Sequence, residues 1–180
     1  MKIKTAIATL ALLLIVSCGK EKTETIKIDG KYLIELPADL TKTTGLNDIA
    51  SLQYQNAEKD LYVVIFDEGK HELHRALKES GLNVLYPNDL SGYMKLAIGN
   101  YTADLDTFPP VNDVKIGGLN AKTMAFEGRV QKLSKVYYKM AFIEGKNRYY
   151  QIMTWTRADR KEEHEATMQK IIDSFKETGK

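Results

Sequence analysis

Three successive stretches of alternating residues, joined by short polar turns, constrain this chain more than any other feature. Residues 119–130 repeat Met124, Phe126 and Val130 at every second or fourth place, and residues 134–143 do the same with Val136, Tyr138, Met140 and Phe142. Residues 148–156 set Tyr150, Ile152 and Thr154 against Tyr149, Met153 and Trp155. Successive side chains of a strand point to opposite faces, so a period of two predicts three strands. Glu144-Gly145-Lys146-Asn147 joins the last two. Four residues are too few for a crossover, so these strands must be antiparallel neighbours.

More strands precede them. Ile26 and Ile28, then Tyr32, Ile34 and Leu36, alternate about an Asp29-Gly30 turn, which predicts an opening hairpin ended by Pro37. Leu52 and Tyr54 again show period two, and the unbroken apolar run LYVVIF at 61–66 suits a central strand covered on both faces. After Asp67-Glu68-Gly69 the period lengthens. Leu73, Ala76 and Leu77 recur at helical spacing before Gly81, a helix-ending residue. From Pro87–Asp89 a second helix carries Leu90, Met94, Ala97, Ile98 and Tyr101 as one stripe, and Pro109-Pro110 closes this helical middle. The last element is a helix with Met168, Ile171, Ile172 and Phe175 as its buried stripe. Asp159 is the expected cap with Glu162 as its box partner, while Asp173, Lys176 and Glu177 are expected to face water. The whole reads as α+β: an antiparallel sheet of about six strands with helices on both faces.

The first residues have a different character. Met1-Lys2-Ile3-Lys4 is a basic start, and Thr5–Val16 is uncharged and rich in Leu and Ile. A basic head and short apolar run are the layout of a secretory signal, and the run falls short of the ~20 residues that span a bilayer. It ends in Ile15-Val16-Ser17-Cys18, and Cys18 is the only cysteine. This segment resembles the lipobox of bacterial lipoproteins. That resemblance implies cleavage after Ser17, a diacylglyceryl group on the Cys18 sulfur and an acylated (palmitate-type) new amino terminus. Several chains anchor firmly because each buried CH₂ contributes ~0.8 kcal/mol. The other reading is an ordinary signal peptide with an incidental cysteine.

The expected organisation is residues 1–17 as signal peptide, 18–25 as lipidated Cys18 with a polar tether, and 26–180 as one globular domain. Losing residues 1–17 removes Lys2 and Lys4 and no acid, so the 26 basic residues drop to match the 24 acidic ones. A neutral mature chain does not support a nucleic-acid partner. One cysteine allows no internal disulfide, so packing must hold the fold. Gly19 stands where aspartate marks inner-membrane retention in proteobacterial lipoproteins. By that resemblance the address is the cell envelope, lipid-anchored, at the outer membrane of a Gram-negative bacterium.

"YLIELP" at 32–37, "IGGLNA" at 116–121, "RYYQIMTW" at 148–155 and "IIDSF" at 171–175, in this order of elements, resemble the PsbP-like family. The family includes a photosystem II extrinsic protein, a Ran-binding import factor and DcrB-like bacterial lipoproteins. It implies an α/β/α sandwich over about residues 26–178, serving as a docking or assembly module without catalytic machinery or cofactor. No site residue transfers from it. The expected role is therefore a non-enzymatic, membrane-anchored module with an envelope protein partner, the alternative being a small-ligand or metal-binding lipoprotein.

Several residue groups bear on that alternative. His71 and His74, three apart on a predicted helix beside Glu68 and Glu72, have the types and spacing of a metal pair, though the sequence is HELH and not HExxH. Exposed helix faces place such pairs together by chance. His164 is expected on a helix surface. Asp104, Asp106 and Asp113 are acidic but lack the glycine and closing glutamate of an EF-hand, so they read as solvated loop acids. Gly117-Gly118 lacks a phosphate-loop pattern and reads as a turn. The ten tyrosines and Trp155 suit either sheet packing or a binding surface. No serine sits in a GxSxG or SxxK context.

Overall fold

The structure, a computed structural model, describes residues 22–102, 105, 107–130 and 134–179. Cys18, residues 19–21 of the expected tether, Asp104 and Asp106 lie outside the described residues. Strands β1 (Thr23–Ile28) and β2 (Tyr32–Pro37) form the opening hairpin, with Gly30 at φ +70° in its turn. They do not join the main sheet. Together with a two-residue strand near the C-terminus, β10 (Lys176–Glu177), they make a separate three-stranded sheet in the order β1-β2-β10.

The main sheet has seven strands. They are β3 (Thr41–Lys42), β4 (Leu52–Asn56), β5 (Leu61–Gly69), β6 (Val111–Ile116), β7 (Leu119–Val130), β8 (Ser134–Glu144) and β9 (Arg148–Arg157). Their order is β3-β4-β5-β9-β8-β7-β6, and every pair is antiparallel. The meander expected at 119–156 is present as β7-β8-β9, with Met124, Met140 and Met153 in register across it. Strand β6 is the edge that the sequence reading missed. Four of its six residues face solvent, so it has no buried alternation to detect.

Helices α1 (Lys70–Glu79) and α2 (Leu90–Thr102) cover one face, and α3 (Lys161–Asp173) shares the other with the small sheet. The alternation of β5 and β9 explains this division. Val63, Ile65, Tyr150 and Ile152 enter the core beneath α3, where Met168, Ile171, Ile172 and Phe175 meet Tyr32, Ile34 and Leu36. Val64, Phe66, Tyr149 and Met153 enter the other core, with Leu90, Tyr93 and Ile98 of α2. Most of the aromatic residues are packing groups: Tyr93 stacks on Tyr149 at 4.7 Å, and Tyr32 and Phe175 lie 5.3 Å apart.

Three local expectations are corrected. Asp159 does not cap α3. It sits in a 3-10 turn (Ala158–Arg160) and binds Arg157, while Arg160 precedes the helix without a side-chain cap. The arginine offers a charged, forked partner that a backbone N–H does not match. His164 is buried at 4% exposure, because it lies four residues before Met168 and seven before Ile171, on the same face of α3. Glu177 is not free in water: it accepts from the Tyr150 hydroxyl at 3.0 Å and from the Lys146 backbone N–H at 3.0 Å. Asp173 and Lys176 are exposed as expected.

Strand register defines two ends of the molecule. Thr23, Pro37, Asn56, Leu61 and Arg157 gather at the end where the first strand begins, and Ile28, Tyr32, Gly69, Glu144 and Arg148 gather at the far end. Gly117, in the β6–β7 turn at the far end, has φ +56°, and a Cβ there would lie 2.6 Å from the Phe175 carbonyl. Strain and clash act together, so Gly117→Ala is expected to lower the unfolding free energy by about 1–3 kcal/mol in urea denaturation, with Gly99→Ala, which meets open space, as the tolerated control.

Candidate functional site

The least exposed carboxylate among the ion pairs of the described residues sits at the far end. Asp67, near the end of β5, has a side chain only 2% exposed, and it lies between Lys31 of the hairpin turn and Arg148 at the start of β9. Lys31 Nζ donates to Asp67 Oδ1 at 3.0 Å, and Arg148 Nη2 contacts Oδ2. Burial alone would raise the Asp67 carboxyl, but the hydrogen bond from Lys31, the nearby Ser51 hydroxyl and the two cationic charges hold it below its usual range. Glu68 beside it is displaced upward by burial and by the Asp67 charge. Arg148 Nε is buried without a hydrogen-bond partner.

This cluster clasps the two sheets together. Lys31 belongs to the small sheet's turn and Asp67 to the main sheet, and the single proton of the Tyr150 hydroxyl is shared between Glu177 at 3.0 Å and the Lys31 carbonyl at 3.3 Å. A carboxylate that accepts a hydrogen bond on Oδ1 and makes ion-pair contacts on Oδ2, with one cation from each layer, has a structural task. The serine hydroxyls of Ser51, Ser80 and Ser174 are likewise held by Tyr32 or by backbone carbonyls.

The two histidines are not brought together. His71 is 81% exposed and lies 3.8 Å from Glu72, whereas His74 turns toward the sheet, its Nε2 3.3 Å from the Tyr149 hydroxyl. Burial raises the Tyr149 phenol to about 12. Glu68 is on β5 and not on the helix with them. Among the described residues no three His, Cys, Asp or Glu side chains gather as a metal ion needs. Asp113 bonds Lys122 on the neighbouring strand and forms no acidic cluster with described groups. Gly117-Gly118 is the turn it was expected to be.

Two surface features were not singled out from the sequence. One is a 3-10 turn, Leu82–Val84, continuing through Leu85, in which Leu82, Val84 and Leu85 are 39%, 83% and 55% exposed. Helix α2 begins beside Tyr149 and reaches Tyr138 with Tyr101, so the turn before it lies on the half of the molecule remote from Thr23. The signal was present as "LNVL" between Gly81 and Pro87. An apolar run between two breakers reads as a loop, and its exposure is visible only once the cores are filled. The other feature is a groove of about 370 Å³ between the hairpin and α3, lined by Thr23, Glu35, Pro37, Lys170, Ile171 and Asp173, with Thr167 and Ser174.

This arrangement of sheet and helices is shared with solved structures. Cyanobacterial PsbP (CyanoP) from Synechocystis superposes with a TM-score of 0.54 at 10% identity, covering 88% of this chain and 94% of that one. The domain has the PsbP-like fold. The PsbP-like domain also superposes on the Ran-binding protein Mog1p of Saccharomyces cerevisiae, with a TM-score of 0.56 at 10% identity and 88% and 97% of the two chains covered. LpqN of Mycobacterium tuberculosis, a protein involved in cell envelope biogenesis, gives 0.52 at 12% identity over 87% and 91%. No protein-family model and no curated protein matches the sequence. At these identities the likeness establishes the fold and leaves activity to be argued from this chain's own residues.

The clasp gives a pH dependence. Because the Asp67 carboxyl is depressed in the folded state, its contribution is fully present above the ordinary carboxylate pKa, near 4, and is lost as pH falls through the depressed folded value. Asp67→Asn is expected to cost about 2–3 kcal/mol at pH 7, discounted because Lys31 and Arg148 are one-third exposed and can rehydrate. Thermal unfolding at pH 7 and at pH 3 checks this: the difference between the two proteins should shrink in acid.

Proposed function

We propose that the chain is a lipid-anchored lipoprotein of the cell envelope whose PsbP-like domain is a non-enzymatic docking module for another envelope protein. The observation that carries the docking role is the exposed apolar turn at Leu82, Val84 and Leu85, remote from the point where the tether joins. Contiguous exposed apolar groups rimmed by polar ones mark interaction sites. Three side chains are far less than the ~800 Å² per partner of a standard stable interface, which suits a small anchor entering a groove on the partner.

The anchoring rests on Ile15-Val16-Ser17-Cys18 and the basic-then-apolar start before it. No helix among the described residues is long and apolar enough to cross a membrane. Gly19 in place of aspartate supports the outer membrane of a Gram-negative cell as the address. From Cys18 to Thr23 the chain advances five residues, at most about 18 Å when extended. Such a short tether would keep Thr23 and its neighbours near the headgroups, with the apolar turn on the half of the domain remote from Thr23.

Two outcomes follow. Cys18→Ala should move the protein from the membrane fraction to the soluble fraction in density-gradient flotation; persistence in the membrane fraction would remove the anchor. A photo-crosslinker at Val84 in intact cells should give a discrete adduct that Leu85→Lys reduces at least tenfold without a change in melting temperature, whereas a crosslinker at Lys59, at the tether end, should not give that adduct.

A further inference from the structure

Strand β6 ends the main sheet, and among the described residues its outer edge pairs with no other strand. The Gly117-Gly118 turn fixes which of its backbone groups are free. Both glycines have positive φ, +56° and +84°, and a two-residue turn of that kind closes on a hydrogen-bonded pair, here Ile116 and Leu119. Hydrogen-bonded and non-hydrogen-bonded pairs alternate along an antiparallel ladder, so Asn112, Val114 and Ile116 spend their backbone groups on β7. Val111, Asp113 and Lys115 therefore turn their N–H and C=O groups outward. An open edge of this length is a template for another strand, and folded proteins commonly blunt it with a proline, a bulge or charges that repel. Strand β6 contains no proline, and its register with β7 runs unbroken. Its two charges, Asp113 and Lys115, are of opposite sign and share one face.

That spacing is self-complementary. With a second β6 laid antiparallel so that Val114 faces its own copy, Asp113 of each chain stands opposite Lys115 of the other. These are also the positions whose backbone groups are free, so both pairs can exchange two N–H···O bonds as well as join opposite charges. Val114, 37% exposed, meets its twin across a non-hydrogen-bonded pair, where side chains approach closest. The two nearest registers that keep the faces aligned centre on Asp113 or on Lys115, and each sets like charges directly opposite. Contacts within the chain leave room for the new ones. Lys122 Nζ takes Asp113 Oδ1 at 2.6 Å and leaves Oδ2, and Lys115 Nζ donates to Asn120 Oδ1 at 2.5 Å with two protons to spare. A two-fold contact of one surface with itself closes at two copies, and the opposite edge of the sheet, β3, is two residues long and too short to compete.

We propose that β6 is a self-association edge, through which two copies of this chain pair antiparallel about Val114 and join their seven-stranded sheets into one. The contact uses neither the anchor nor the apolar turn at Leu82–Leu85. Sedimentation velocity of the full chain in neutral detergent should show a reversible monomer–dimer equilibrium in a dilution series from about 1 mM, since an edge pair is smaller than the ~800 Å² per partner of a standard interface. Asp113→Lys makes the edge wholly basic and Lys115→Asp makes it wholly acidic, so each variant alone should associate about tenfold more weakly or worse. An equimolar mixture of the two should dimerise, because every cross-strand pair is again of opposite sign. In a Cys18→Ala background, Val114→Cys should give a disulfide-linked dimer under mild oxidation, as Cα atoms across a non-hydrogen-bonded pair are ~4.5 Å apart, within the span of a disulfide. Asn112→Cys should not, because the register sets it opposite Ile116. All of these side chains are exposed, and a cooperative melt checks that each variant folds. Monomer at every concentration, association that both charge variants leave intact, a mixture no more dimeric than its components, or equal disulfide yield from Asn112→Cys and Val114→Cys would overturn the proposal.

Discussion

Everything in this fold follows from the need to bury both faces of β5, β9 and β8. Ile65, Tyr150 and Ile152 point one way and Val64, Tyr149 and Met153 the other, all nearly inaccessible to water. One covering layer would leave half of these side chains wet, at roughly 25 cal/mol for each Å² of apolar surface. Two layers are required. Helices α1 and α2 supply one, and α3 with the small sheet supplies the second. The small sheet cannot pair with the main one, and so it is held by packing through Tyr32 and Phe175 and by the charged clasp of Lys31, Asp67 and Arg148.

Where the sequence carried a strong period, it was enough to foresee structure. The doubly covered LYVVIF strand, the β7-β8-β9 meander and the stripes of α2 and α3 are visible because burial imposes a regular spacing on apolar residues. Elements whose residues face water leave no such trace: β6 is mostly exposed, and β3 and β10 are two residues each. The separation of the opening hairpin into its own sheet was also illegible, since a hairpin's pattern records its buried face and not which neighbour lies beyond its edge. The Asp159 and Glu177 misreadings share a cause. Both side chains chose partners, Arg157 and Tyr150, from outside the local pattern that suggested their roles.

Functional legibility divides in the same way. The proposed export and lipidation signal rests on a linear pattern alone, and Cys18 lies outside the described residues. His71 and His74 looked chemically promising only because sequence distance was taken for spatial convergence, and the turn of α1 sends one to solvent and one to Tyr149. The apolar turn at Leu82–Leu85 and the groove beside Thr23 emerge from three-dimensional exposure. Together they give the molecule a polarity, with a groove beside Thr23 and an exposed apolar turn on the other half, and the proposed anchor at Cys18 would turn the first of these to the membrane.

That polarity depends on Cys18 carrying the anchor, and the intact mass of the mature protein extracted from membranes tests it most directly. The account predicts a chain beginning at Cys18, heavier than its sequence mass by a diacylglyceryl group and an amide-linked acyl chain. A mature product bearing an unmodified thiol would contradict it.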